Sequence, residues 1–269
     1  MKYDPIKKGL GEIFNRKPFL RKLFYKLLDL LLLRAWHIKR ELRKTRRIIG
    51  RTADVLDAGS GFGQYSWFMS GLSRDWIIKG VDVKEEQIDD CNRFFEKTGR
   101  GEQVHFEIGD LTKFREEEKY SVVLCVDVME HILEDVQVFK NYVFSMKKGG
   151  VLLISTPSDQ GGSDVHDDHD DSFIEEHVRD GYNIGEIEEK LRSAGFSEVY
   201  PKYSYGWPGK ISWRLSMKYP IVMLNTGKIF YLLLPFYYLI TFPFSLVLNF
   251  LDVSLKHKTG TGLIVKAVK

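Results

Sequence analysis

The chain has 269 residues, 43% of them hydrophobic, with 40 Lys+Arg against 37 Asp+Glu and two cysteines. Two cysteines exclude a disulfide framework, and Cys91 and Cys125 read as small buried hydrophobes in a reducing, cytoplasmic setting. The near-neutral total hides a partition: residues 1–51 carry 16 basic against 4 acidic side chains and residues 200–269 carry 9 against 1, which leaves −17 on residues 52–199.

Residues 1–51 form the first region. From Pro18 to Leu42, the residues Leu20, Leu23, Phe24, Leu27, Leu28 and Leu31 recur at the spacing of one helix face, with Arg21, Lys22 and Lys26 off that stripe. This predicts a basic amphipathic helix. Trp36 and the cluster Lys39, Arg40, Arg43, Lys44, Arg46 and Arg47 suit an anionic membrane surface, where each cation contributes about 1 kcal/mol. The competing expectation is a helix lying on the core as a lid. A signal peptide is not expected, because no apolar run longer than Leu30 to Leu33 follows the basic start.

Residues 52–206 read as an α/β core. The stretch Val55 to Gly63 is a short apolar strand, an acid, then Gly59, Gly61 and Gly63. Glycines permit a sharp strand-to-helix turn and let backbone N–H groups approach a ligand. A dinucleotide fingerprint would need a glycine where Gln64 stands and no acid at the mouth of the loop. Asp57 suits a cationic ligand instead. A second strand runs from Trp76 to Val83, and its Asp82, about 20 residues past the loop, is placed to accept ribose hydroxyls. Val104 to Ile108 is a third strand, followed by Gly109-Asp110-Leu111. The apolar run Tyr120 to Val126 predicts a buried parallel strand and leads into Asp127-Val128-Met129-Glu130-His131. Lys148-Gly149-Gly150 introduces a fifth strand, Val151 to Ser155. Helices are predicted over Gln64 to Leu72, Glu85 to Lys97 and Val136 to Met146, and a further one, Ile184 to Ala194, is capped by Asn183 and stopped by Gly195.

The pattern Asp-x-Gly-x-Gly-x-Gly from Asp57 to Gly63, with the four later motifs in order, resembles the class I S-adenosylmethionine-dependent methyltransferases, of the type 11 and ubiquinone-pathway O-methyltransferase kind. That resemblance implies a Rossmann-like, doubly wound, seven-stranded sheet with an antiparallel last strand, closed by Glu198 to Tyr205 and Gly262 to Val268. It implies an enzyme using S-adenosyl-L-methionine, with Asp57, Gly59 and Gly61 at the methionine end, Asp82 at the ribose, Asp110 and Leu111 at the adenine, and Asp127 beside them. Asp127, Glu130 and His131 resemble a Glu-x-x-Glu-His segment associated in the ubiquinone-pathway enzymes with a divalent metal. Here Asp127 replaces the first Glu, and the alternative is that His131 orients the loop by a hydrogen bond.

The tract His166 to Asp171 falls in the loop after the fifth strand, where this fold admits substrate. His166 and His169 are candidates for substrate contact or general-base work, alongside a solvated lid and a metal tract.

Residues 207–258 differ again. Ile229 to Leu251 is 23 residues without a charge, roughly 34 Å of helix against about 30 Å of hydrocarbon. A single crossing would strand residues 259–269, the last strand, on the far side of the membrane from its sheet. Pro235 and Pro243 therefore predict short helices that enter and leave one leaflet, with Trp207, Trp213, Tyr219, Tyr231, Tyr237 and Tyr238 at the interfacial level. The alternative is an apolar hairpin serving as a soluble cap or a homodimer interface.

These readings combine into a peripheral or monotopic methyltransferase on the cytoplasmic face of a membrane. Its acceptor is lipid-like and methylated at oxygen: a quinone precursor, a polyprenyl or polyene phenol, or a lipid headgroup. The alternatives are a soluble small-molecule methyltransferase, a non-catalytic membrane adaptor, and a nucleic-acid methyltransferase. The last fits poorly, because the basic residues are interleaved with Leu and Phe.

Overall fold

The computed structural model describes residues 17–161, 178–227 and 229–269. Its described strands are β1 (Ala53–Ala58), β2 (Trp76–Asp82), β3 (Val104–Ile108), β4 (Tyr120–Val126), β5 (Met146–Pro157), β6 (Glu198–Ser204) and β7 (Gly262–Val268). They form one sheet of order β3-β2-β1-β4-β5-β7-β6. The first five are parallel, and β7 runs antiparallel between β5 and β6. This is the seven-stranded sheet with an antiparallel last strand that the family resemblance implies. The near-continuous apolar run of β4 is buried on both faces, as a parallel strand covered by helices must be, and β1 beside it is buried except at Asp54. Because the order reverses between β1 and β4, their carboxyl ends border the crevice where such sheets bind ligands.

The N-terminal region forms two helices, α1 (Pro18–Leu31) and α2 (Leu33–Ile49), where the sequence predicts one through Leu42. The break at Leu32 (φ −91°, ψ 108°) has a packing cause. α1 buries Arg21 and Tyr25, whereas α2 buries Leu33, Ala35, Ile38 and Leu42, so the two faces lie in different directions and one straight helix could not seat both. The predicted stripe of α1 is divided: Leu23 and Leu27 are exposed, together with Phe19 and Leu30 beside them, while Leu20, Phe24, Leu28 and Leu31 are half-buried. Helices α3 (Gln64–Leu72), α4 (Glu85–Lys97), α5 (Asp135–Ser145) and α6 (Ile184–Ala194) complete the layers on the sheet.

Between β6 and β7 the chain makes a helical hairpin. Its first arm is α7 (Trp207–Trp213), a π turn (Arg214–Lys218) and α8 (Tyr219–Thr226), and its second arm is α9 (Phe230–Ser254). The π turn follows from Pro220. Proline has no N–H to offer the carbonyls of Leu215 and Ser216, and Tyr219 N–H bonds back to Arg214. The hydroxyls of Tyr237 and Tyr238 satisfy those two carbonyls at 2.7 and 2.8 Å. These tyrosines therefore tie the two arms together. Pro235 and Pro243 lie inside α9 without breaking it, which replaces the predicted short helices by one helix of 25 residues. The cross-arm ties and the buried contacts of Ser245 and Asn249 with Ser212 hold α9 across its prolines. Its outward side remains apolar: Leu232, Phe236 and Leu239 are 70%, 67% and 76% exposed.

Candidate active site

The site grows from the carboxyl ends of β1, β2 and β4. Asp57, near the end of β1, is buried and accepts a hydrogen bond from Ser66 Oγ of α3 at 2.5 Å. Burial pushes its carboxyl up to about 7, with the Ser66 bonds opposing the shift. Gly59 has φ +74°, and a Cβ there would lie 2.2 Å from Val128 Cγ2. Only glycine lets the β1 and β4 loops pack this closely. Gly59 and Ser60 N–H groups donate to Val81 O at 2.8 and 3.0 Å. Gly61 is different: φ is +49°, and a Cβ there would meet nothing nearer than Gln87 Oε1 at 3.9 Å. Its open side faces space that a ligand can enter.

Asp82 pins this loop from the next strand. Its Oδ2 accepts Gly61 N–H at 2.9 Å and its Oδ1 accepts Lys84 N–H at 3.1 Å. Each oxygen retains acceptor capacity for a further donor. At the end of β3, Asp110 accepts from the Thr112 hydroxyl and amide at 2.7 and 2.9 Å, which hold its carboxyl below the usual range. Leu111 is buried and its carbonyl accepts from Asn141 Nδ2.

Asp127 follows β4 in a left-handed conformation, φ +52°, rare for a non-glycine residue and held here by its N–H bond to Ser155 O. Its Oδ2 is ion-paired with Arg34 of α2. Burial works against the Arg34 charge, but Asp127 outweighs it and raises the guanidinium above its ordinary value. The Arg34 N–H donates to Tyr205 Oη at 3.1 Å, and the Tyr205 N–H donates to Asp252 Oδ1 of α9 at 3.1 Å. Two buried hydroxyls, Ser60 Oγ and Tyr65 Oη, have no hydrogen-bond partner among the described residues.

Sequence reasoning missed Arg34, Tyr65 and Tyr205. Arg34 was hidden among the cations of a helix assigned to a membrane surface, and the two tyrosines carried no motif. It also misread Arg21, which is buried. Arg21 Nη2 donates to Phe62 O at 2.9 Å, and the Tyr25 hydroxyl donates to the same carbonyl. Through these two side chains α1 lies on the glycine loop.

Asp127 and Glu130 lie near enough to feel each other's charge, but His131 does not complete a trio with them. Glu130 is buried and accepts from Thr156 Oγ1 at 3.2 Å, with burial first and the Asp127 charge second raising its pKa. His131 is exposed on the short turn Met129–His131. Among the described residues no three His, Cys, Asp or Glu side chains are grouped to hold a metal. His166 and His169 lie outside the described residues.

Known proteins resemble this chain over the same region. A family described as "Methyltransferase domain" matches residues 49–195. Phosphoethanolamine N-methyltransferase 1 of Triticum aestivum is 27% identical over 153 residues, covering 54% of this chain and 28% of that enzyme. Ubiquinone biosynthesis O-methyltransferase of Coxiella burnetii is 26% identical over 103 residues, covering 38% of this chain and 42% of that enzyme. The chain thus spans less than half the length of these curated relatives. Among solved structures, phosphoethanolamine N-methyltransferase 2 of Haemonchus contortus, in complex with S-adenosyl-L-methionine, superposes with TM-score 0.58 at 17% identity, over 86% of this chain and 52% of that one.

Proposed function

This chain belongs to the methyltransferase-domain family, and from that premise we propose that it transfers a methyl group from S-adenosylmethionine to an oxygen of a lipid-like acceptor at a membrane surface. The residues present suit that cofactor. Asp57 opposes the positive charge of its methionine end, Asp82 has acceptor capacity for its ribose hydroxyls, and the unpartnered hydroxyls of Ser60 and Tyr65 point to groups that a ligand completes. Asp57, Gly59 and Gly61 would hold the methionine end, Asp82 the ribose, and Asp110 with Leu111 the adenine edge. When bound, the cofactor supplies an already activated methyl, so the protein has mainly to align the acceptor and exclude water. α1 on Phe62 serves the exclusion. Arg34 fixes the Asp127 carboxylate at the end of β4, and we assign that carboxylate, beside the cofactor, to the acceptor's hydroxyl, whose proton it would take.

The observation that carries the membrane reading is the path Asp127, Arg34, Tyr205, Asp252, by which the site is joined to the foot of an apolar hairpin. An acceptor whose tail lies along the hairpin presents its head at Asp127. The exposed apolar faces of α9 and α1 exceed what scattered surface hydrophobes account for. Charge placement argues for a flat, monotopic pose. Lys210, Arg214 and Lys218 recur at helical spacing on the first arm, and in an upright hairpin Lys218 would sit about 16 Å deep, near the bilayer centre. A charge there costs about 2.5–3.5 kcal/mol. Lying flat on the cytoplasmic leaflet, the stripe meets headgroups.

The seating of α1 on the glycine loop favours a second reading, a soluble methyltransferase that uses its helices as lid or dimer surface. Incubation with methyl-labelled S-adenosylmethionine and host extract, followed by organic extraction, separates the two. Label in the organic phase supports the lipid-like acceptor. Label confined to the aqueous or macromolecular phase overturns it.

A further inference from the structure

The foot of the hairpin carries a groove of about 420 Å³, lined by Asp29 of α1, Trp36, Lys39, Arg40 and Arg43 of α2, and Val253 of α9. Three cations face one carboxylate. Lys39 is ion-paired with Asp29 and lies 4.5 Å over the Phe68 ring. Burial draws Lys39 below the ordinary lysine value even with Asp29 beside it. Arg40 donates to the carbonyl of Val253, which caps the carboxyl end of α9 with a positive charge. Arg43 is exposed, lies 5.2 Å over the same Phe68 ring, and has no carboxylate at ion-pair distance among the described residues. The excess cations are thus held in place by aromatic and backbone contacts and are only partly neutralised.

We propose that this groove binds the phosphate of an anionic membrane lipid, an inference that rests on the membrane reading above. Position supports it as well as charge. Val253 stands in the last turn of α9, beyond the exposed Phe244, Val247 and Phe250 that begin the apolar face. A phosphate between Lys39 and Arg43 therefore lies at the margin of the apolar surface, where a hairpin lying flat in one leaflet borders the headgroups. The acyl chains then meet the exposed apolar side of α9 and Phe19, Leu23, Leu27 and Leu30 of α1, while the Trp36 indole, whose N–H donates to Leu30 O at 3.3 Å, walls the groove at the interfacial level tryptophan favours. Free phosphate would match the cations alone. A nucleic acid would leave the charge-free wall of α9 in water, so the combined surface selects a lipid.

The test is flotation of the full-length protein with vesicles of phosphatidylcholine alone and of equal parts phosphatidylcholine and phosphatidylglycerol, comparing wild type with the double variant Lys39→Gln/Arg43→Gln. Arg40 is left in place because it caps α9. Wild type is expected to bind both vesicles and to prefer the anionic ones. The double variant should retain binding to phosphatidylcholine and the wild-type circular dichroism spectrum, while its anionic preference falls about fivefold per removed charge. The control Lys26→Gln/Arg47→Gln removes two exposed cations from the same helices outside the groove and should keep most of the preference. Equal loss in both variants overturns the groove in favour of diffuse charge. An unchanged preference in Lys39→Gln/Arg43→Gln also overturns it, and leaves the membrane reading standing. Displacement by inorganic phosphate at low millimolar concentration, or by an oligonucleotide, overturns the lipid assignment. Failure of wild type to float with either vesicle overturns the membrane reading and the groove together.

Discussion

His37 Nε2 of α2 lies 2.8 Å from Asp252 Oδ1 of α9, joining residues 215 positions apart inside the protein. Asp252 also accepts the backbone N–H groups of Tyr205 and Gly209 at 3.1 and 3.0 Å, and His257 Nε2 lies 3.3 Å from its other oxygen. One fully buried carboxylate thus fixes α2, the end of β6 and both arms of the hairpin. Removing it orphans the buried groups that converge on it. Asp252→Ala should destabilise the protein by about 3–5 kcal/mol, read as a lowered midpoint in denaturant titration, with Asp252→Asn intermediate.

The same pair sets a pH dependence. Burial lowers the His37 pKa below its ordinary 6.5, so as pH falls through 6.5 the unfolded chain takes up a proton that the folded chain refuses. Asp252 is held below its ordinary 3.8, because its partners outweigh burial, and its contribution is lost at lower pH still. Both make acid destabilising. Melting temperature measured from pH 8 to pH 5 should fall less steeply in His37→Gln than in wild type; parallel slopes would remove His37 from the account.

Asp57 has the opposite sign. With its carboxyl pushed up to about 7, the folded protein binds a proton more readily than the unfolded chain, and stability contributed here is lost as pH rises from about 4 to about 7. Asp57→Asn should therefore raise the melting temperature of ligand-free protein at pH 8, with the gain shrinking towards pH 5. Cofactor affinity should move the other way. Titration calorimetry should show wild-type binding weakening below pH 7, by up to about tenfold per unit, and Asp57→Asn binding weakly at every pH.

The glycine loop offers a paired contrast. Gly59→Ala places a methyl 2.2 Å from Val128 Cγ2 at φ +74° and should cost about 2–4 kcal/mol of stability. Gly61→Ala meets nothing nearer than 3.9 Å, so only the backbone preference of about 1–2 kcal/mol is lost. Its main effect should be on cofactor affinity. Thermal melts alongside cofactor titrations distinguish the two.

Arg34→Ala leaves Asp127 without its cation. Because the Arg34 side chain is 40% exposed, the electrostatic loss is modest, about 1 kcal/mol. The loss of orientation should lower kcat/KM about tenfold, with cofactor affinity within a factor of about three. Arg34→Lys keeps the charge and not the fork, and should recover only part of the rate. Equal losses of cofactor affinity and rate would place Arg34 on the cofactor side instead.

The catalytic core was legible in the linear chain. Apolar runs of strand length, punctuated by glycine and followed by acids, located the strands and the Asp57 to Gly63 turn, because these signals depend on residues a few positions apart. Chain order also required the uncharged stretch to return, since it lies between two strands that must pair. Contacts between distant segments settled the rest. Whether α1 buried its leucines or its Arg21 and Tyr25 depended on the Phe62 carbonyl it had to meet, and a leucine stripe carries no information about that partner. Pro235 and Pro243 could stay inside one helix because the neighbouring arm ties across them. Arg34 became a site residue only when α2 crossed the end of β4, since the attraction between two charges is set by their separation in space and leaves no mark on their spacing in the chain.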